Sequence, residues 1–204
     1  MVLGMSSEES LDVLEPRLQE YVKKAHRALE EGRPDYTIDV CMSVLNRHPG
    51  CAVVRQLLYD ARKCVPSLGS LTFVGGLWQA FHFLCIASAA LFVKRRPLRV
   101  LAIVESALCD VPGHPFMFRL LGQAAEVLGL PRTARIAYRA LLGSEPESPA
   151  NAVALGNACL ACMDPHEALE LGRRAVRLDP AHRDAQELVK KAAVELSLGN
   201  RERP

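Results

Sequence analysis

Apolar residues recur along most of the chain at the three- and four-residue spacing of helices with one buried face. Leu18, Val22, Ala25 and Leu29 form the first stripe. Pro16 is well placed for its first turn, and Ser6 and Ser7 precede Glu9 in a loose capping pattern. Gly32 ends the run. Pro34 and Asp35 restart the chain, and Ile38, Cys41, Met42 and Leu45 give a second stripe that stops between Asn46 and Gly50. A third helix, 52–64, carries Val54, Leu57, Leu58 and Ala61, and Val65-Pro66-Ser67-Leu68-Gly69-Ser70 is the clearest linker. Further on, Pro97 begins a helix through Leu101, Val104 and Leu108, broken by Gly113-His114-Pro115. Helices are predicted at 116–128, 132–142, 150–162, 166–178 and 181–198, separated by Gly129, Gly143 and the prolines at 131, 146, 149, 165 and 180. No segment sustains the alternation of a strand. The pattern predicts an all-α chain of about ten helices joined by short turns.

One stretch breaks the amphipathic rule. Residues 71–93 contain no Asp, Glu, Lys or Arg and are followed by Lys94-Arg95-Arg96. As a single helix the stretch would measure about 35 Å, against a bilayer core of roughly 30 Å. The basic flank and Trp78 suit a membrane anchor. Gly75-Gly76, Gln79, His82 and Ser88 suit a helix buried by the rest of the protein. On the buried reading, Phe83, Leu84, Ala87, Ala90 and Leu91 are covered by neighbouring helices.

An internal period bears on that choice. Pro112, Pro146 and Pro180 stand 34 residues apart, each between the end of one helix and the start of the next. Aligned on them, Leu121-Gly122 falls on Leu155-Gly156, and Ala134 on Ala168. Glycine lets two helices approach closely, and alanine is expected to serve the same purpose from the facing helix. Such a code builds antiparallel helix pairs, each burying its apolar face on the next. Residues 81–93 and 97–110 fall where the two helices of an earlier unit belong.

On these residues the chain resembles the tetratricopeptide (TPR) family. Its signature runs through a large apolar residue, Leu-Gly, an aromatic, a small Ala, a second aromatic, a second Ala and a closing Pro. Unit 115–148 supplies Phe118, Leu121, Gly122, Ala134, Tyr138 and Pro146, departing at Ala125 and Leu141. Unit 149–182 supplies Leu155, Gly156, Ala168, Ala175 and Pro180, departing at Ala152, Cys159 and Gly172. Degenerate matches cover 81–114 (Leu84, Ala87, Leu91, Ala107, Pro112) and, out of phase, 18–49 (Tyr21, Ala25, Ala28, Pro49). The resemblance implies a right-handed α-solenoid whose first helices line a concave peptide-binding groove. Carried over, the groove positions are Phe116, Arg119, Gln123 and Glu126 in one unit, then Ala150, Val153, Asn157 and Leu160 in the next. Arg119 would pair with a carboxylate and Asn157 would hold a peptide backbone. The paired Lys and Asn set of the family's chaperone-tail binders is incomplete here.

Composition adds limits. The 204 residues are half apolar but only 5% aromatic, which favours helix packing over strands, and the net charge of +2 points to no particular class of partner. The seven cysteines are odd in number and follow an acidic N-terminus, so free thiols in a reducing compartment are expected. Cys159, Cys162 and His166 form one metal-like cluster, but no second ligand pair accompanies it. Arg132, Arg135, Arg139 and Arg173, Arg174, Arg177 fall on second helices, the outer wet face of such a solenoid. Interleaved aromatics for base stacking are missing.

The expectation is a non-enzymatic, cytoplasmic scaffold without cofactor that binds a protein or peptide. It comprises an N-terminal helical unit at 1–66, a linker at 67–76, and an array at 77–204 with a charged capping helix. A membrane-tethered assembly factor anchored through 71–93 is the first alternative. A nucleic-acid-associated regulator using the outer arginines is the weaker one.

Overall fold

The computed structural model describes residues 8, 11–65, 93, 95–110 and 114–201. Among them a short 3-10 turn, Leu11–Val13, precedes helices α1 (Pro16–Glu30), α2 (Pro34–Arg47), α3 (Ala52–Cys64) and α4 (Pro97–Asp110). There follow α5 (Pro115–Val127), α6 (Pro131–Ser144), α7 (Pro149–Ala161), α8 (Pro165–Leu178) and α9 (Arg183–Arg201). No strand occurs among the described residues. The expected linker 67–76 and the apolar stretch 71–93, with its five residues expected to be covered, lie outside them, Val93 excepted. Val93 is buried in the core. No helix among the described residues is long and apolar enough to cross a membrane.

Proline opens α1, α2 and every helix from α4 to α8. The sequence pattern reads Pro115, Pro131, Pro149 and Pro165 as separators, whereas the structure takes each as the first helical residue, the place already expected of Pro16 and Pro97. Proline's missing N–H is one that a first turn leaves unbonded anyway. Ahead of α5, α7 and α8 a local side chain accepts one further first-turn donor: His114 Nδ1 takes the N–H of Phe116 at 3.3 Å, Ser148 Oγ that of Asn151 at 3.3 Å, and Asp164 Oδ1 that of Glu167 at 3.2 Å. Leu130, ahead of α6, has nothing to offer. There the carboxylate of Glu8 accepts the Thr133 N–H at 2.8 Å, so the far N-terminal segment caps α6.

Helix ends follow a common form. Gly32 and Gly129 take positive φ, 75° and 69°, with the next N–H reaching back to Ala28 and Ala125. That is the left-handed cap that glycine permits. After α7 the same post falls to Met163, at φ 62°, with the Asp164 N–H bonded to the Cys159 carbonyl.

Consecutive helices pack on each other from α1 to α3 and from α4 to α9, and short turns make the pairs antiparallel. α5, α7 and α9 begin at 34-residue steps, as do α4, α6 and α8, so the period read from the prolines is the period of the helix pairs. The architecture is an α-solenoid. α9 closes the end by packing on both α8 and α7.

The close approaches differ from the glycine-opposite-alanine expectation. A Cβ on Gly122 would run into the Tyr138 ring, so it is the ring that needs the glycine. In the next unit the Tyr138 position is Gly172, and Leu188 of α9 occupies the space. Its Cδ2 would collide with a Cβ built on Gly156, and its Cγ is 3.3 Å from one built on Gly172. Ala134 and Ala168 are buried beside these contacts.

The N-terminal helices join the array through α3, which packs on α2, α1 and α6. Leu57, Leu58 and Val54 belong to an N-terminal core with Val22, Cys41 and Val44. Tyr59, on the same helix, sets its ring against Phe118 of α5, tilted by 43° with centroids 5.1 Å apart, and joins the larger core. Between them Arg55, 1% exposed, donates from Nε to Glu105 at 2.5 Å, from Nη1 to Thr133 Oγ1 at 2.7 Å and from Nη2 to the Pro49 carbonyl at 2.8 Å. Arg62 donates to the Glu105 carbonyl at 2.6 Å.

Gly122→Ala should destabilise the protein by about 1–3 kcal/mol despite alanine's better helix propensity, because a rigid ring must move. Chemical denaturation checks it. Met163→Gly should stabilise by about 1 kcal/mol, since the side chain is 84% exposed and its left-handed backbone costs roughly that much. A rise of about 2–4 °C in Tm is the expected readout.

Candidate functional site

The first helices of the two clearest units, α5 and α7, carry the expected groove residues. Arg119, Gln123, Glu126, Ala150 and Asn157 are exposed. Phe116 and Leu160 are half-buried and lean on the core. Val153 is 6% exposed and belongs to the core itself, so it offers a partner almost no surface. It lies one turn after α7 begins, where the packing of α7 on α6 and α8 takes it inward.

The polar members group at two ends of one seam. At the N-terminal end, the Arg119 guanidinium lies 3.4 Å from Glu145 and 3.5 Å from Asn151 Oδ1. Asn151 Nδ2 in turn donates to Glu145 at 2.7 Å, while its backbone is fixed by Ser148. Glu145, from the α6–α7 turn, thus already supplies a carboxylate to Arg119. With both side chains more than two-fifths exposed, that pair is weak enough for an incoming carboxylate to compete. The sequence pattern singles out neither Glu145 nor Asn151. They are brought to Arg119 by the turn before α7, and no sequence spacing signals such a meeting.

At the C-terminal end, Glu126 and Asn157 face one pocket of about 340 Å³. Gly129, Leu130, Pro131, Ala134, Ala158 and Ala161 complete its wall, which is small-residue and mostly apolar. Asn157 makes no side-chain hydrogen bond among the described residues, so both its donors and its acceptor are available. Burial raises the Glu126 carboxyl above its ordinary value, and the neighbouring Tyr138 hydroxyl holds it back in part. Arg119 and Glu126 are seven residues apart on one helix, about 10 Å, and present opposite charges along the seam.

The other expected chemistry is placed elsewhere. Cys159 is fully buried on α7, and burial pushes its thiol up to about 12, the opposite of a reactive or ligating thiolate. Cys162 is raised for the same first cause, and His166 is exposed. Among the described residues no group of three or more His, Cys, Asp or Glu is disposed to hold a metal ion. Of the outer arginines, Arg135 reaches Glu167 at 2.9 Å and Asp164 at 3.5 Å, and Arg139 also pairs with Glu167. Arg132 faces Glu8 at 3.6 Å, and Arg174 donates to the Pro146 carbonyl at 2.7 Å. The contacts of Arg135, Arg139 and Arg174 tie one repeat to the next, and that of Arg132 ties α6 to Glu8.

No protein-family profile matches the chain. No curated protein matches it either. Among solved structures it is similar to a thermophilic TPR protein of Thermus thermophilus, at 14% identity and a TM-score of 0.39, over 87% of this chain and 99% of that one.

Because the folded-state pKa of Glu126 lies above its unfolded value, ionising it opposes folding. Its contribution is most favourable below the ordinary carboxylate range and is lost as pH rises through the raised value. Glu126→Gln should therefore raise Tm at about pH 7 and leave it nearly unchanged at about pH 3.5, where the native side chain is also neutral. Thermal melts at both values check this.

Proposed function

We propose that this chain is a non-enzymatic protein-interaction scaffold that binds a peptide or helix of a partner protein across the α5–α7 face. The observation that carries the reading is the pocket where Glu126 of one unit and the unpartnered amide of Asn157 of the next converge. Solenoids present such surfaces because successive first helices lie side by side, and the exposed residues between them are not needed for the core. Arg119 anchors an acidic group of the bound segment, Asn157 holds its backbone amide, and Gln123 lies between. Phe116 and Leu160 supply apolar contact at the margins.

The array at 77–204 is the interaction module in this reading, with 1–66 docked on it through α3. Buried free thiols at Cys41, Cys51 and Cys159 support a reducing compartment, the cytoplasm.

Arg119→Glu combined with Asn157→Ala tests the function, because both side chains are exposed and the fold should persist. Affinity capture followed by mass spectrometry should lose the partners bound by the unaltered protein, with direct binding to a recovered partner weakened by about tenfold or more. An unchanged capture profile in a protein that still melts cooperatively would overturn the assignment.

A further inference from the structure

The second helix of the final unit, α8, and the closing helix α9 enclose an open groove of about 500 Å³ on a different part of the molecule. Val176 and Val189 form its floor, and Arg173, Arg177 and Lys190 stand around it with Gln186. No carboxylate lines it. None of the three cations makes an ion pair among the described residues, in contrast to Arg135, Arg139 and Lys191, which all have acidic partners. Beyond the groove, Gln186, Lys190, Val194 and Leu198 follow at four-residue intervals along α9 in a row that winds slowly around the helix, and Val194 and Leu198 are 55% and 49% exposed. This strip is about 18 Å long, three helical turns.

We infer that this groove docks an acidic amphipathic helix of a partner protein. The apolar side chains of that helix pack on Val176, Val189, Val194 and Leu198, and its flanking Asp or Glu residues meet Arg173, Arg177 and Lys190. The match is one of charge and of shape: an apolar floor excludes water, and unpaired cations at its rim select acids and repel bases. A second copy of this chain is a poor occupant, because a two-fold contact through the groove sets these cations against their own copies. An RNA strand is also a poor occupant, because the groove has valines and no aromatic ring where stacked bases would need a platform.

Fluorescence anisotropy with a labelled helical peptide tests this, the probe carrying leucines at positions i, i+3, i+4 and i+7 and glutamates on either side. The full chain should bind it with an affinity that falls as salt is added. Arg173→Glu with Arg177→Glu should weaken binding by about tenfold, since each reversal alters an exposed charge contact. Val194→Asp, on a mostly exposed side chain, should weaken it comparably without affecting folding. Arg119→Glu should leave it unchanged, which separates this surface from the α5–α7 face. Equal binding of the same peptide with lysine for glutamate would overturn the inference, as would tighter binding of a single-stranded RNA oligonucleotide. So would indifference to Arg173→Glu with Arg177→Glu, or a dimer in sedimentation that those changes dissolve.

Discussion

Arg55 is the residue on which the relation between the two ends of the chain depends. Its guanidinium is buried at the meeting of α3, α4 and α6, and it satisfies Glu105, Thr133 and the Pro49 carbonyl at once. A buried ion pair adds little net stability over an apolar one, because desolvation offsets the attraction. Its force is in what it forbids. Any docking of α3 that parts Arg55 from Glu105 leaves a charge in an apolar site at a cost of several kcal/mol. The apolar residues around it, Tyr59 and Phe118 among them, are tolerant of small shifts, whereas the hydrogen-bond fork is not. The N-terminal helices are therefore held on the array in one register.

Beyond that junction the array is a problem of filling space between helices at a fixed period. Unit 115–148 fills the gap over Gly122 with its own Tyr138. Unit 149–182 has Gly172 in that place and borrows Leu188 from α9. The last helix is thus part of the packing of the unit before it, as well as the polar end that a solenoid needs against water. The same economy appears in the caps. α6 lacks a capping side chain of its own, and Glu8 provides one from the far end of the chain.

Charge is distributed between structural and available roles. Arg135 and Arg139 join α6 to the start of α8, where Glu167 also sits favourably at a helix N-terminus. Arg119 is held loosely by Glu145, Arg173 and Arg177 make no ion pair among the described residues, and Lys190 feels Glu187 only at a distance, Lys191 being that carboxylate's direct partner. The surfaces on which partners are proposed to bind are those where polar groups are not spent within the fold.

Helix by helix, the chain is readable from residue order alone. Apolar spacing, prolines and glycines are local signals, and they place α5 to α8 within two residues at either end and the end of α9 three residues short. The period of the pairs follows because prolines recur with it. Even so, Pro115, Pro131, Pro149 and Pro165 fall inside the helices and not between them, and Met163 adopts a conformation that only the turn before α8 imposes. What no local signal carries is which residues meet across the solenoid. Arg55 and Glu105 are fifty residues apart, and in sequence Arg55 is one more polar position on an amphipathic helix. The family resemblance puts Val153 on the groove, yet it is core, since the approach of neighbouring helices turns that face inward. Glu126 and Asn157 share a pocket only because two turns bring their helices side by side. Local periodicity decides which segments are helices. Contact between residues distant in sequence decides which of their polar groups are buried, paired or left for a partner.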